Sequence, residues 1–430
     1  MLELKLGPVK LKPVVAAFLV VWLTVLSLGS TAVMAADSTY PSNTLGLNVK
    51  AAILIDADTG QVLYAVNADE PRPPASMTKM MTEYMVLEAI SKKEITWDTQ
   101  VTVSEEAAST PADGSQVYLA QGDVHTVKEL YTAMAVASAN DATIALASFL
   151  GGSEQGFVAK MNEKAKEMGL KTAVFTSATG LLDTTLMSAS DVAKMARMIL
   201  QQHPEFLDYS SIPSQKFRAR DTHPMINNDW MLANNKGIPA FKPYVYDGVD
   251  GMKTGYLGAA GYCFTGTVKQ GDTRLISVVM GTRSKGARFT ETAKLYNYAF
   301  QSLEKKTAVQ AKSVVKTVES VKLSKGVSTS VPVVTESDMS LMVKKGATPD
   351  VTLVASKVPA SGELVAPVKQ GQKLGTVTYR YKDAETGATM DKTVNLIAAE
   401  DVDKASWWRL MFRGIKDFIV SLFNGIVNLF

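Results

Sequence analysis

The sequence contains a single cysteine, Cys263, so no disulfide can form within the chain. Its three histidines, His125, His203 and His223, are too few and too scattered to form a metal cluster. There is neither a His-Glu-x-x-His stretch nor a Gly-x-Ser-x-Gly elbow, which excludes two common hydrolase signatures. The formal net charge is only +3, so there is no electrostatic basis for expecting nucleic acid as a partner.

Apolar residues make up 46% of the chain and charged residues 20%, which is typical of a folded globular protein. Residues 1–36 have the features of a secretory signal peptide: a basic tip, the apolar run Val14–Leu28, and small residues before a cleavage site after Ala35 or Ala36. A retained transmembrane anchor is the alternative, although a membrane span needs about 20 apolar residues. Both interpretations place the bulk of the chain outside the cytoplasm.

Residues 50–66 predict a β-hairpin, because two apolar runs flank a turn-forming stretch. Three prolines then hold the chain extended: Pro71, Pro73 and Pro74. A helix starting at Ser76 would place its hydroxyl beside the amine of Lys79, on one face of the positive N-terminal end. Such a pair can make an activated serine nucleophile without histidine. The spacing alone is weak, because Ser302–Lys305 and Ser313–Lys316 repeat it.

The section from 77 to 205 is predicted to be rich in helices, and a second β region follows from Gly248. The predicted helices are Thr126–Ala137, Asp141–Leu150, Glu154–Met168 and Ser190–Gln202. The first of them can begin with a capping box of Thr126 and Glu129. The second β region contains a hairpin, and a helix closes it: Gly261–Val268, Thr273–Gly281 and Arg288–Leu303. Strands at both ends with helices between them predict one α+β domain over residues 37–304.

The composition changes after this domain. Residues 314–398 are rich in Val, Thr, Ser and Lys with regular turn signals, and they predict a small all-β domain. Residues 405–430 are rich in aromatic and other apolar residues, and polar residues recur among them near helical spacing, which predicts an amphipathic helix. Its uncharged end after Asp417 is too short to span a bilayer, so we expect it to lie in the membrane interface. Packing on the protein's own core is the alternative.

Three short motifs stand in order along the chain: Ser76-Met-Thr-Lys79, Ser138-Ala-Asn140 and Lys253-Thr-Gly255. Together they resemble the penicillin-binding protein and serine β-lactamase superfamily. Over nearly the whole chain the sequence looks like the low-molecular-mass D-alanyl-D-alanine carboxypeptidases. The resemblance implies a β-lactamase/transpeptidase-like catalytic domain, with an antiparallel sheet and a helical subdomain, followed by the all-β domain and the amphipathic helix.

The resemblance also implies a role for each motif residue. Ser76 would be the nucleophile, and Lys79 can serve as its base only if it is neutral, which burial and the nearby cation of Lys253 would favour. Ser138 would carry a proton to the leaving amine, and Asn140 would hold the peptide amide of the substrate.

Strand residues complete the implied site. Lys253 and Thr254 would meet the terminal carboxylate of the substrate, and Gly255 would let its backbone approach closely. The backbone N–H groups of Ser76 and Tyr256 would form the oxyanion hole. Arg288 matches a family position that helps to bind the carboxylate, and its alternative is a surface helix charge. Two residues depart from common family patterns without removing a reacting group: Ala139 and Leu257.

The implied reaction removes the terminal D-alanine from peptidoglycan stem pentapeptides through an acyl-enzyme on Ser76, with no metal or cofactor. β-Lactams would be covalent inhibitors, and the work would take place on the outer face of the cytoplasmic membrane. A class A β-lactamase would carry a Glu-x-x-Leu-Asn stretch, which is absent. A D,D-endopeptidase would share every motif, so the sequence leaves it open. A transpeptidase would normally carry a larger non-catalytic module. A non-catalytic wall-binding protein would not need the reacting groups, all of which are present.

Overall fold

The computed structural model describes residues 43–112, 114–383 and 388–427, with side chains to residue 424. The predicted signal peptide lies outside the described residues. Strands and α-helices of the described part are numbered separately in chain order. The strands are β1 (Ala51–Asp56), β2 (Val62–Val66), β3 (Gln100–Thr102), β4 (Val124–Thr126), β5 (Ser214–Gln215), β6 (Met225–Ile226), β7 (Val249–Leu257), β8 (Gly261–Gln270), β9 (Thr273–Thr282), β10 (Leu303–Val309), β11 (Ser320–Lys322), β12 (Ser330–Thr335), β13 (Met339–Lys344), β14 (Val351–Lys357), β15 (Lys373–Lys382) and β16 (Thr389–Ala398). The helices are α1 (Lys79–Ser91), α2 (Glu105–Ala108), α3 (Val127–Ala137), α4 (Asn140–Gly151), α5 (Glu154–Glu167), α6 (Ala189–Gln202), α7 (Phe206–Ser210), α8 (Ala287–Ser302) and α9 (Trp407–Val427).

A five-stranded antiparallel sheet with the order β2-β1-β9-β8-β7 lies at the centre of the first part of the chain. Strand β1 is buried along its whole length, because successive residues point into two different cores. Ile53 and Ile55 belong to a core shared with α1, α3, α4 and α6, whereas Ala52 and Leu54 belong to a core shared with α8. Helices on both faces explain why this strand is a continuous apolar run rather than an alternating one.

The α+β prediction is confirmed, and so are its local elements. Both predicted hairpins form, and the capping box at the start of α3 has both of its hydrogen bonds. One start is different: α1 begins at Lys79 rather than Ser76, and Ala75–Thr78 form a single 3-10 turn. The N–H of Met77 donates to the carbonyl oxygen of Pro74, three residues earlier, so the first turn after the prolines is 3-10 rather than α. The predicted helical section also contains the short antiparallel pair of β3 and β4.

The all-β part is confirmed as well, but it begins earlier than residue 314. Strand β10 starts at Leu303, which was predicted as the last residue of a helix, and it pairs with β13. Leu303 and Met342 are buried in the same core beneath α8, and the burial of Leu303 favours a strand at once after the helix. The other five strands form a sheet with the order β11-β12-β16-β15-β14 around a separate apolar core.

The predicted C-terminal helix is present as α9 over Trp407–Val427. Most of its described apolar side chains are exposed, and Trp407 and Phe418 are 75% and 68% exposed. Arg413 donates hydrogen bonds to the carbonyl oxygens of Gly326 and Val327 in the all-β part. Within the described ranges, no helix is both long enough and apolar enough to cross a membrane.

Candidate active site

Ser76 lies half-buried in the 3-10 turn that leads into α1. Two glycines allow other backbone segments to approach this turn. A Cβ atom at Gly180 would collide with the carbonyl group of Ala75, and a Cβ at Gly255 would lie 2.7 Å from the carbonyl oxygen of Pro74. The turn is therefore held between the loop at Gly180 and strand β7, so packing on two sides sets the position of Ser76.

Lys79 is completely buried, and its amine has three close polar neighbours. Nζ lies 3.1 Å from Ser76 Oγ, 2.7 Å from Asn140 Oδ1 and 2.9 Å from the carbonyl oxygen of Thr179. The last two atoms can only accept hydrogen bonds, so they occupy the two N–H groups of a neutral amine. The lone pair of that amine is then left for the hydroxyl of Ser76.

Burial lowers the pKa of Lys79 well below its ordinary value, and the positive charge of Lys253 lowers it further. The carboxylates of Glu83, Glu154 and Asp141 act in the opposite direction with smaller effect. The order of these causes refines the prediction from the sequence: the dry surroundings contribute most to a neutral Lys79, and Lys253 comes second.

Ser138 and Asn140 lie between α3 and α4, where the chain turns sharply. Ser138 ends α3 in the left-handed conformation, with a φ of 57°, and Asn140 begins α4. The backbone N–H of Asn140 donates to the carbonyl oxygen of Ser115. Ser138 Oγ is buried and has no hydrogen-bond partner within the described residues, so the internal contacts of this part of the fold do not account for its hydroxyl.

Strand β7 forms one edge of the central sheet and carries the third motif. Lys253 and Thr254 are buried, and Lys253 Nζ lies 3.4 Å from the carbonyl oxygen of Thr254. Burial lowers the pKa of Lys253 to about 8. Tyr256 is 55% exposed and stacks on Tyr262 of β8, with ring centroids 4.3 Å apart. The other edge of β7 faces the turn of Ser76, since a Cβ at Gly255 would lie 3.3 Å from Ser76 N.

Arg288 is only 2% exposed, so the alternative of a surface charge is wrong. Its guanidinium lies 3.3 Å from the carbonyl oxygens of Gly255 and Asn228 and 3.5 Å from that of Cys263. Burial lowers its pKa to about 10, while the carboxyl group of Asp229 opposes that shift. Arg288 thus stabilises β7 through its contact with the backbone carbonyl oxygen of Gly255.

Three residues beside this site were not predicted from the sequence. Thr179 offers only a backbone carbonyl, which no side-chain pattern can reveal. Asp141 accepts hydrogen bonds from the backbone N–H groups of Val117 and Leu119, and so anchors the loop before β4. Glu83 is completely buried four residues after Lys79. Its place one turn after Lys79, among apolar residues such as Met80 and Met81, was the available signal for Glu83.

The arrangement provides the parts of covalent acyl transfer: a hydroxyl, a buried amine beside it, and a second buried lysine on a strand edge. Within the described residues, no group of three or more His, Cys, Asp or Glu side chains is arranged to hold a metal ion. The hydroxyl of Ser76 and the amine of Lys79 can perform nucleophilic attack with proton transfer through lysine.

Comparison with known proteins agrees along most of the chain. A family model described as D-alanyl-D-alanine carboxypeptidase matches residues 37–284, and one described as penicillin-binding protein 5, C-terminal domain, matches residues 303–404. The carboxypeptidase DacF of Bacillus subtilis is 38% identical, with 87% of this chain and 91% of the relative aligned. DacC of Escherichia coli is 30% identical, with 88% and 89% aligned.

Solved structures lead to the same group. Penicillin-binding protein 5 of Haemophilus influenzae superposes with a TM-score of 0.66 at 29% identity, covering 83% of this chain and 98% of that structure. PBP3 of Streptococcus pneumoniae gives a TM-score of 0.70 at 28% identity, covering 83% and 100%. Penicillin-binding protein D2 of Listeria monocytogenes, solved in an ampicillin-bound form, gives 0.52 at 31% identity, covering 60% and 100%.

Proposed function

The chain belongs to the D-alanyl-D-alanine carboxypeptidase family, and from this premise we propose that Ser76 is its nucleophile and Lys79 its general base. It is a serine-type carboxypeptidase of the penicillin-binding proteins, and its relatives do not favour the β-lactamase or non-catalytic alternatives. One observation carries the assignment of roles. Lys79 Nζ is 3.1 Å from Ser76 Oγ while two acceptors occupy its N–H groups, as a base for that hydroxyl requires.

Acylation begins when Lys79 takes the proton of Ser76 and Oγ attacks the carbonyl carbon of the penultimate D-alanine. The developing oxyanion is stabilised by the backbone N–H groups of Ser76 and Tyr256. The C–N bond then breaks, and the proton passes from Lys79 through Ser138 to the leaving amine. Support for the relay comes from the buried hydroxyl of Ser138, which has no other partner in the described part of the chain.

Substrate recognition is assigned to β7 and its neighbours. Lys253 and Thr254 bind the terminal carboxylate, and Asn140 orients the peptide amide. Gly255 allows the substrate to lie along the edge of β7. Arg288 holds that edge in place through the carbonyl oxygen of Gly255 rather than by reaching the substrate itself.

Deacylation reverses the same proton path. A water molecule gives a proton to Lys79 and attacks the ester carbonyl, and Ser76 recovers its proton as the C–O bond breaks. The products are the shortened stem peptide and D-alanine. β-Lactams acylate Ser76 by the same first step.

Labelling with a fluorescent penicillin tests the nucleophile. The wild type should become labelled, whereas Ser76→Ala should not, because no oxygen remains to form the ester. Ser302→Ala is a matched control, since Ser302 repeats the spacing to a lysine but lies at the end of α8. An unlabelled wild type, or a labelled Ser76→Ala, would disprove the assignment. Release of D-alanine from a pentapeptide, compared with cleavage of a crosslinked dimer, separates carboxypeptidase from endopeptidase activity.

We further propose that α9 attaches the protein to the outer face of the cytoplasmic membrane. Its exposed aromatic side chains support this, among them Phe412, Phe418 and Phe423, which are 61–68% exposed. An interfacial helix buries such a face among lipid headgroups. Changing these three residues to Ser should abolish flotation with anionic lipid vesicles, whereas Lys416→Gln should weaken it only slightly. Membrane retention after deletion of residues 405–430 would contradict the proposal.

A further inference from the structure

Glu83 is a buried acid for which the fold itself offers no explanation. It lies on α1 one turn after Lys79, with no exposed surface. Neither of its carboxyl oxygens has a hydrogen-bond partner among the described residues. Burying a carboxyl group without hydrogen bonds is costly, and an apolar side chain such as the neighbouring Met80 would pack there at lower cost. The position therefore points to an electrostatic role.

The charged groups around Glu83 come from several elements. Lys79 faces it from its own helix, and Lys253 faces it from β7. Burial raises the pKa of Tyr131 on α3, and the negative charge of Glu83 raises it further. The buried hydroxyl of Tyr131 likewise lacks a hydrogen-bond partner within the described part of the structure. The two lysines face further charges: Glu154 and Asp141 near Lys79, and Arg288 and Asp229 near Lys253.

Lys79, Lys253 and Glu83 therefore form a buried cluster of two amines and one carboxyl group. Burial raises the pKa of Glu83 to about 7, although Lys253 and Lys79 oppose that shift. Burial lowers the pKa of Lys253 to about 8, and here Glu83 is the principal opposing charge. With Glu83 ionised and Lys253 protonated, a neutral Lys79 leaves one charge of each sign in this cluster. The sum of the charges is then zero, which is the arrangement least costly to bury.

We propose that Glu83 is a positioning residue of the Ser76 site, whose buried carboxylate keeps the positive charge on Lys253, and this charge in turn favours a neutral Lys79. The proposal rests on the roles assigned to Ser76, Lys79 and Lys253 above. It extends them by naming the group that maintains the charge of Lys253. Burial and Lys253 each lower the pKa of Lys79 by more than the same carboxylate raises it.

Glu83→Gln tests the proposal, because it removes the charge and keeps the size of the side chain. Without the carboxylate, the pKa of Lys253 falls, so the enzyme loses its active form at a lower pH. The basic limb of the pH profile of penicillin acylation should move down by about one pH unit. Glu83→Asp, which keeps the charge, should restore the limb toward the wild-type position.

The control is Glu88→Gln on the same helix, whose partly exposed carboxylate binds Lys164 and Lys92. It should leave the limb unchanged. Glu83→Met is a second charge-free variant suited to apolar surroundings, for use if Glu83→Gln does not fold, and it should give the same shift. A basic limb that coincides with the wild type in the charge-free variant would overturn the proposal. Labelling of the wild type would still stand in that case, so failure of the nucleophile assignment is a separate result.

Discussion

Lys79 and Lys253 are both buried, yet their amines have different surroundings. Lys79 Nζ has two carbonyl acceptors and a hydroxyl within 3.1 Å, which complete the contacts of a neutral amine. Lys253 Nζ lies 3.4 Å from a carbonyl oxygen, and the charge with the largest effect on it is the negative one of Glu83, whereas the charge with the largest effect on Lys79 is the positive one of Lys253. The two lysines are therefore suited to opposite tasks, one to accept a proton and the other to attract a carboxylate.

The pH dependence of acylation should reflect this difference. Because the pKa of Lys253 is about 8, kcat/KM for D-alanine release should fall as pH rises through that value and Lys253 loses its charge. Lys253→Arg keeps a positive charge to much higher pH, so the basic limb should move upward by more than about one pH unit. The rate at the optimum should fall, because a planar guanidinium does not reproduce the geometry of the amine. If the basic limb of the arginine variant stays near pH 8, a group other than Lys253 causes the fall in rate.

Gly255 is predicted to tolerate no side chain. A Cβ there would lie 2.7 Å from the carbonyl oxygen of Pro74 and 3.3 Å from Ser76 N, and both are backbone atoms that cannot rotate away. Strand β7 would shift relative to Ser76, and a misplacement of about 1 Å can cost about 100-fold in rate. Gly255→Ala should therefore reduce the rate of penicillin acylation by about that factor. Gly258→Ala is the control, because a Cβ at Gly258 meets nothing within 4 Å. Equal rates for the two variants would show that β7 has room to adapt.

At the scale of elements, the loop before β4 depends on the first turn of α4. Asp141 is buried there and accepts hydrogen bonds from the backbone N–H groups of Val117 and Leu119. The carbonyl oxygen of Ser115, in the same loop, accepts the backbone N–H of Asn140. One carboxylate thus connects the loop to the helix that carries a proposed substrate-binding residue.

Asp141→Asn should loosen this loop. The amide group has one acceptor oxygen instead of two, so a buried N–H loses its partner at a cost of about 1–3 kcal/mol. Amide hydrogen exchange over residues 115–119 should become faster, and penicillin acylation should slow because Asn140 is less well held. Asp183→Asn, at an exposed position, is the control. Unchanged exchange rates over the loop would mean that Asp141 is not its anchor.

Local elements were predictable because their signals lie within a few residues. The capping box of Thr126 and Glu129 and the turn at Gly271 both appear where the sequence indicates them. The contacts of Lys79 were less accessible, because Asn140 and Thr179 lie 61 and 100 residues away along the chain. The α8–β10 junction was misplaced because Leu303 suits the end of a helix as well as a buried strand.

At the scale of the whole molecule, buried hydrogen bonds as well as apolar contacts join the all-β part to the central sheet. Gln61, just before β2, donates from Nε2 to the carbonyl oxygen of Met342 at 2.7 Å and accepts the N–H of the same residue at 2.9 Å. Both residues are buried, and Met342 shares a core with α8. One side chain thus completes the hydrogen bonding of β13 at the junction.

Gln61→Ala should weaken this junction without disturbing the Ser76 site. It leaves a buried N–H and a buried carbonyl group without partners, at a cost of about 1–3 kcal/mol for each. The midpoint of thermal unfolding should fall, and the all-β part should become more sensitive to protease, while the rate of penicillin acylation at moderate temperature stays within about twofold of the wild type. Gln372→Ala removes an exposed glutamine from the all-β part and should change neither property. If Gln61→Ala melts at the same temperature as Gln372→Ala, the hydrogen bonds of Gln61 do not stabilise the junction between the two parts. Slow acylation in a variant of unchanged stability would instead show that the all-β part acts on the reaction.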